Sequence, residues 1–326
     1  MSELDLSAQI DALPLHKPFA IAGKRYEAIE VVHVTAERDG VRGHGECTPY
    51  ARFGTGPQKA CAQIAALDTH GLDRNTLLKR LPAGPARNAV DAALWDLEAK
   101  QAGCRVWELE GLGGQAPDLI STITIGIDTP DAMARAARSY EVWPVLKIKL
   151  DRSRIMERMA AIREHMPQTR LIVDANASWD IDTLNAVAGP LAGLGVEMIE
   201  QPLPPGQDGE LKAYRGALPL AADESCQDMQ SLARLEGHYQ TVNLKLDKVG
   251  GLTAGLVMAQ EARDRGFEIM VGCMLGSSLA MAPAMMLARQ AVLCDLDGPY
   301  ILGHDRPGGL SYRQGRLSVF GPDLWG

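Results

Sequence analysis

From about residue 119 onward the chain repeats one pattern, a short apolar run followed by a helix-like stretch. The runs are STITIGI, VLKIKL, LIVDAN, EMIEQP, LAADES, TVNLKL, EIMVGC and AVLCDLD; SRIMERMAAIREHM and AGLVMAQEARDRG lie among the stretches between them. The repeat is roughly 22 to 28 residues, which suits a strand plus a covering helix. Eight near-equal βα units favour closure into a (β/α) barrel over a doubly wound open sheet.

The front of the chain reads differently. AIEVVHVTAE, from residue 28 to 37, is rich in β-branched residues, and Asp39-Gly40 is a hairpin turn. ARNAVDAALWDLEAKQAG, from 86 to 103, puts Ala89, Ala92, Ala93, Leu97 and Ala99 near helical spacing, with Gly103 as a stop. Strands followed by helices predict a separate α+β module. The last stretch, GLSYRQGRLSVFGPDLWG, reads as a short hairpin and a tail that returns to that module. A chain of 326 residues accommodates a barrel plus such a module. The net charge of -8 argues against nucleic acid as a main partner, but a local lysine cluster or a metal still admits an anionic substrate. Six cysteines without a CxxC pair are expected to be free thiols in a reducing cytoplasm. The N-terminus is acidic and lacks the apolar segment of a signal peptide, and no run reaches membrane-spanning length.

A barrel strand buried on both faces is expected to be apolar throughout. Here Lys147 and Lys149 end the second run, Asp174 and Asn176 the third, and Glu200 and Gln201 the fourth. Asp223 and Glu224 end the fifth, Lys245 and Asp247 the sixth, and Asp295 and Asp297 the eighth. One such residue is ordinary solvation; repetition at strand after strand marks the carboxyl-terminal rim, where barrel enzymes build their sites. Asp174, Glu200 and Asp223 come from consecutive strands and would sit side by side. Crowded carboxylates repel unless a cation joins them, and oxygen-only donors select a hard ion, Mg²⁺ by default. The competing reading is that Asp174 or Asp223 caps the following helix. Residues i and i+2 share a strand face, so Lys147 and Lys149 enter one site. Neighbouring ammonium groups and a divalent ion would lower a lysine's pKa and make it a base. Lys245 arrives from across the barrel. Two bases on opposite sides of one carbon suit a 1,1-proton transfer next to a carboxylate, with the metal stabilising an enediolate. A non-catalytic anion patch is the alternative.

The ordered set Lys147-Ile148-Lys149, Asp174-Ala175-Asn176, Glu200-Gln201-Pro202, Asp223-Glu224-Ser225 and Asn243-Leu244-Lys245 running on to Gly250-Gly251 resembles the enolase superfamily, specifically its muconate lactonizing enzyme subgroup. ALWDLEAKQAG resembles the helix of that family's capping domain. The resemblance implies a modified TIM barrel, (β/α)₇β, under an N-terminal α+β capping domain. The expected division is 1–115 for the cap, 116–304 for the barrel and 305–326 for a segment returning to the cap. It also implies Mg²⁺ on Asp174, Glu200 and Asp223, and Lys149 and Lys245 as the acid/base pair with Lys147 beside them. Lys245 is preferred to Lys248 because the family uses the first lysine of NxKxxK; strand phase agrees, placing Asn243, Lys245 and Asp247 on one face.

Within the subgroup, Asp295-Leu296-Asp297 discriminates. Two acids at i and i+2 form an anionic clamp suited to a free α-ammonium, which a dipeptide has and an N-acylated amino acid lacks. The pattern resembles L-Ala-D/L-Glu epimerases. The expected substrates are therefore dipeptides from murein, with o-succinylbenzoate synthase or N-succinylamino acid racemase as the alternative. Thr124, on the first barrel strand, is placed with the substrate-binding residues. His16 to Phe19 lead to Lys24 and Arg25 in an expected loop, and a second loop offers Tyr50, Arg52 and Phe53. Lys24, Arg25 or Arg52 is expected to meet a substrate side-chain carboxylate. Gly276 stands where several relatives carry an acid, which weakens a lactonizing or synthase assignment. A homo-oligomer is possible; nucleic acid and membrane are not expected partners.

Overall fold

The computed structural model describes residues 3–21, 24–50 and 54–326, without the side chains of 19–21 and 24. Strands β1 (Asp5–Ile21), β2 (Lys24–Arg38) and β3 (Val41–Cys47) form an antiparallel sheet in that order. Asp39 and Gly40 join β2 to β3 with φ of 55° and 75°, the two left-handed residues that the predicted hairpin turn requires. The segments around His16 and Arg25, expected as a loop, instead extend the β1–β2 hairpin. Pairing resumes at Phe19↔Tyr26 after a register shift that follows Pro14.

Three helices follow, α1 (Pro57–Ala65), α2 (Arg74–Arg80) and α3 (Pro85–Ala102). Helix α3 is buried on nearly every side, which explains its alanines, and it ends at Gly103 with φ of 64°. It lies so close to β3 that a Cβ on Gly43 would sit 2.1 Å from the Ala93 carbonyl oxygen, and one on Gly45 2.1 Å from that of Ala89.

The second sheet has eight parallel strands in sequential order: β4 (Ile123–Ile125), β5 (Val145–Lys149), β6 (Arg170–Asp174), β7 (Val196–Glu200), β8 (Leu220–Ala222), β9 (Thr241–Leu244), β10 (Glu268–Gly272) and β11 (Leu293–Asp295). A parallel bridge between Ser121 and Cys294, with Thr122 N donating to Cys294 O at 2.9 Å, brings the first and last strands together. The helices are α4 (Pro130–Arg138), α5 (Ile155–His165), α6 (Ile181–Gly193), α7 (Met229–Leu235), α8 (Leu246–Val249), α9 (Leu252–Asp264), α10 (Ser278–Ala288) and α11 (Gly298–Ile301). After β7 only a 3₁₀ segment, Asp208–Ala213, covers the barrel. Pro202, Pro204 and Pro205 deny that stretch the amide donors of a longer helix. The eight predicted strands are thus the eight observed ones, in a (β/α) barrel beside an antiparallel α+β unit.

Strand alternation sets the site. Val145, Ile172, Met198, Ala221, Met270 and Leu293 form one buried apolar cluster from six strands. Two residues further along five of those strands stand Lys147, Asp174, Glu200, Asp223 and Asp295. The alternate residues, among them Leu146, Ile148, Val173 and Ile199, pack into the larger cluster shared with the helices. The predicted terminal hairpin is present as β12 (Tyr312–Arg313) and β13 (Arg316–Leu317). Beyond it Trp325 Nε1 donates to Ala92 O of α3 at 2.9 Å. All six cysteines are free, and among the described residues no helix is long and apolar enough to cross a membrane.

Because Gly43 faces helix backbone rather than a movable side chain, Gly43→Ala is expected to lose about 1–3 kcal/mol of stability. Gly189→Ala, inside α6 with open space around it, is expected to be neutral or to gain up to about 1 kcal/mol. Denaturant unfolding of the two variants checks this.

Candidate active site

Asp174, Glu200 and Asp223 are fully or almost fully buried at the ends of β6, β7 and β8, and each offers a carboxylate oxygen within 4.8 Å of the others. The backbone turns sharply beyond two of them: Asn176, Ala177 and Gln201 have φ of 45°, 60° and 35°. Side chains in that region store strain that the surroundings must hold. Gln201 is held by its amide, whose Oε1 accepts from Asp223 N (2.9 Å) and Ser225 N (3.0 Å) and whose Nε2 donates to Leu203 O (2.8 Å).

Four lysines surround this acid cluster. Lys147 Nζ lies 2.7 Å from Glu200, 2.8 Å from Asp295 and 3.1 Å from Asp174. Lys149 Nζ pairs with Asp174 at 2.6 Å, and Lys245 Nζ with Asp223 at 2.6 Å. Lys149 and Lys245 therefore flank the cluster through different acids. Lys248 also reaches Asp223, at 2.7 Å, which corrects the strand-phase argument that turned it away. The strand ends at Leu244, and α8 swings Lys248 back beneath the acid. Lys245 lines the open pocket, whereas Lys248 stays behind, bonded also to the carbonyls of Asp223 and Asn243. Gly272 is required here, since a Cβ would meet Asn243 Oδ1 at 2.8 Å and Lys245 Cε at 3.1 Å.

Charge sharing is uneven. Burial would raise Asp174, but Lys149 and Lys147 outweigh it and hold the carboxyl at about 2. Asp223 goes well down because Lys245 and Lys248 overcome the same desolvation. Glu200 is pushed up to about 7 by burial and by Asp174. Burial would lower Lys147 and Lys245, yet carboxylates raise both, chiefly Asp295 for Lys147 and Asp223 for Lys245. That is opposite to the lowering expected from lysine–lysine repulsion: each ammonium touches a carboxylate, at 2.7 Å for Lys147 and 2.6 Å for Lys245, and that attraction outweighs the other lysines. A divalent cation on the three acids would withdraw this stabilisation and favour the neutral amine.

Asp295 and Asp297 both reach the pocket. Thr122 Oγ1 donates to Asp295, and Thr124 N donates to Asp297 Oδ2 at 2.7 Å. The peptide between them is gripped from both sides: Leu296 N donates to Ser121 Oγ (2.8 Å) and Tyr312 Oη donates to Leu296 O (2.6 Å). Lys147 overcomes burial and lowers Asp295. Asp297 is raised to about 6 by burial and then by Asp295, and among the described residues no cation pairs with it.

The pocket gathers Lys147, Lys149, Asp223, Lys245, Asp295, Asp297, Tyr50 and Thr124 of the predicted set. Arg25 is exposed and stays out; strand alternation turns its neighbour Tyr26 inward instead, 6.0 Å from Tyr50 between ring centroids. Tyr26, Cys273, Met274, Leu275 and Ile301 are wall residues that the sequence reading missed. Alternation along β2 was the available signal for Tyr26. The Lys24 side chain, Arg52 and Phe53 lie outside the described residues.

Residues 5–111 match the mandelate racemase / muconate lactonizing enzyme N-terminal domain, and residues 131–321 the enolase C-terminal domain-like family. The chain belongs to the enolase superfamily. Among its relatives, the L-Ala-D/L-Glu epimerase of Escherichia coli K12 is 46% identical over 95% of this chain and 98% of its own length. An N-acetyl-D-glutamate racemase of Pseudoalteromonas sp. is 43% identical over 91% and 95%. The solved structure of an enolase family member from Agrobacterium tumefaciens with homology to dipeptide epimerases, holding sodium and L-Ala-L-Glu, superposes with a TM-score of 0.96, 40% identity and coverage of 99% and 100%. A dipeptide epimerase from Methylococcus capsulatus, complexed with Mg and L-Arg-D-Lys, gives 0.89, 32%, and 99% of each chain.

Gly276 sits in a tight place: a Cβ there would meet Ala280 Cβ at 3.1 Å and Thr48 Oγ1 at 3.2 Å, so an acid in its place needs these neighbours to give way. The cap supplies a carboxylate nearby instead: Glu46 of β3 accepts from Ser277 N (2.7 Å) and Arg306 Nη2 (2.7 Å).

The donor set fits Mg²⁺: three converging buried carboxylates, all oxygen, one of them pushed to about 7 by its neighbours. Millimolar Mg²⁺ is expected to raise the thermal midpoint, and a chelator to reverse this. Asp223→Asn should lose at least half of the Mg²⁺-dependent increment, as read by calorimetry.

Proposed function

We propose that this chain is a dipeptide epimerase, an isomerase that inverts the α-carbon of the C-terminal residue by 1,1-proton transfer, with L-Ala-D/L-Glu as substrate. The observation that carries this reading is Asp297, a buried carboxyl on the pocket wall that lacks a cationic partner among the described residues. A substrate α-ammonium would supply that partner and favour the ionised form. The relatives that act on Ala-Glu support the same substrate.

In this reading Lys149 or Lys245 takes the α-proton, and the other lysine returns a proton to the opposite face. The net result is inversion with no change of composition. Lys147 holds a substrate carboxylate oxygen, and Asp295, already paired with Lys147, sets that ammonium's position. Mg²⁺ on Asp174, Glu200 and Asp223, when bound, would offset the negative charge that builds on the substrate carboxylate as the carbon becomes an enediolate. Lys248 and Asn243 brace two of those acids, Asn243 Nδ2 donating to Glu200 Oε1 at 2.8 Å. The division of labour we propose follows residues 1–115 as cap, 116–304 as barrel and 305–326 as returning segment; the contact of Trp325 with α3 supports the last of these. A cytoplasmic role in recovering murein peptides fits the substrate.

A second reading is a racemase of N-acylated glutamate. It is favoured by the Pseudoalteromonas relative and by the neutralisation of Asp295 by Lys147, which leaves only half of the clamp for an ammonium. Both substrates are N-acylated glutamates and differ in the α-ammonium. With Mg²⁺ in D₂O, ¹H NMR is expected to show loss of the C-terminal α-hydrogen signal of L-Ala-L-Glu; no exchange there or in a dipeptide panel would sink the main reading. Faster turnover of N-acetylglutamate than of every dipeptide would favour the second. Lys149→Ala and Lys245→Ala are each expected to abolish epimerization. Asp297→Asn should cut kcat/KM on dipeptides by roughly tenfold or more relative to N-acyl amino acids, the scale of a charge-assisted hydrogen bond.

A further inference from the structure

The two bases are anchored by different means. Lys149 sits within the β5–β6 ladder, where it pairs in register with Asp174. Lys245 lies just past the end of β9, and its carbonyl is held by the first turn of α8, accepting from Lys248 N (2.9 Å) and Val249 N (3.1 Å). The four-residue α8 is in turn gripped by the cap helix α3. Asn88 Nδ2 donates to Asp247 Oδ1 at 2.9 Å, and Thr48 N of the cap donates to the same oxygen at 3.3 Å. Arg87 donates from Nη2 to Val249 O (2.7 Å) and from Nε to Gly250 O (2.9 Å). Asp91 accepts from Thr253 N (3.0 Å), and Trp95 Nε1 donates to Thr253 Oγ1 (3.0 Å).

Arg87, Asn88, Asp91 and Trp95 fall on one stripe of α3. The fit is close: a Cβ on Gly250 would meet Arg87 Nε at 2.5 Å, and one on Gly251 would meet Asp91 Cβ at 2.6 Å. Each of the four is buried, and each directs a polar group at the segment 247–253, although Arg87 Nη1 also donates to Leu81 O within the cap at 3.3 Å.

We propose that Asn88 and Arg87 are positioning residues for Lys245, so that the cap helix tunes one of the two proton transfers and leaves the other to the barrel. This rests on the epimerase reading. Loss of the α3 grip lets α8, and with it Lys245, shift relative to the acids, whereas Lys149 keeps its ladder. A displacement of this kind slows a proton transfer steeply.

The test follows α-hydrogen exchange in D₂O separately from L-Ala-L-Glu and L-Ala-D-Glu. Each diastereomer presents its α-hydrogen to one lysine, and a lysine that has taken it can return solvent deuterium to the same face. Lys149→Ala and Lys245→Ala therefore identify which diastereomer depends on which base. Asn88→Ala is expected to slow the Lys245-dependent exchange by roughly tenfold and to leave the Lys149-dependent exchange within about twofold. Equal slowing of both, or of neither, overturns the proposal. Arg87→Lys carries the same comparison should Asn88→Ala fail to fold. If the wild type exchanges neither diastereomer, the functional reading falls. Backbone amide exchange then decides the inference without substrate: Asn88→Ala should accelerate exchange across 246–250 and not across 145–149, and uniform or absent acceleration refutes the coupling.

Discussion

Three carboxylates buried within 4.8 Å of one another set the terms for the rest of this structure. They cannot all ionise in a dry interior without cations to share the space. Lys147, Lys149, Lys245 and Lys248 supply that charge, each within about hydrogen-bond distance of an acid. The arrangement requires strands whose inward positions switch from apolar to ionic within two residues. A parallel barrel provides it, because every strand ends at the same rim and alternation brings the same face inward each time. The apolar layer of Val145, Ile172 and Met198 closes the floor beneath the charges and keeps water from screening them.

That same constraint made much of the site legible in sequence. A strand covered on both faces admits few charges, so Lys147, Asp174 and Glu200 stood out against VLKIKL, LIVDAN and EMIEQP. Their order resembled one superfamily, and the matched domains and relatives bear that out. Period-2 reasoning failed where the period stopped. Lys248 lies three residues beyond Lys245, but the chain has already turned into α8, so a residue assigned to the outer face returns to Asp223. Tyr26 was hidden for the converse reason: its segment was expected as a loop, where alternation has no meaning, and it continues a strand.

The outer wall depended on contacts between distant segments, which no local pattern reveals. Glu46 on β3 and Thr48 just beyond it meet Ser277 and Leu275 after β10, which makes the place of Gly276 tight. The sequence showed only that an acid was missing there. The charge state of the Asp295–Asp297 pair was likewise beyond reach from spacing alone. As two acids at i and i+2 they looked equivalent; in the fold Lys147 takes one and leaves the other. In the proposed reading the clamp is therefore one acid already paired with Lys147 and one raised to about 6, a narrower recognition element than a bare pair of carboxylates.

An epimerase needs two bases with matched access to one carbon, and the two lysines we propose for that role are held by unlike scaffolds. Lys149 inherits the rigidity of a central barrel strand, whose backbone is paired on both sides. Lys245 follows a strand end and a single helical turn, elements that alone resist displacement weakly. The polar stripe of α3 offsets that difference, since Arg87 and Asn88 fix α8 through side chains that are themselves buried and so have few alternative rotamers. In that proposal the cap contributes to the catalytic geometry through its hydrogen bonds to α8. If Lys149 and Lys245 are the two bases we propose, sequence changes within α3 that leave its alanine packing on β3 intact would still alter the balance between the two directions of proton transfer.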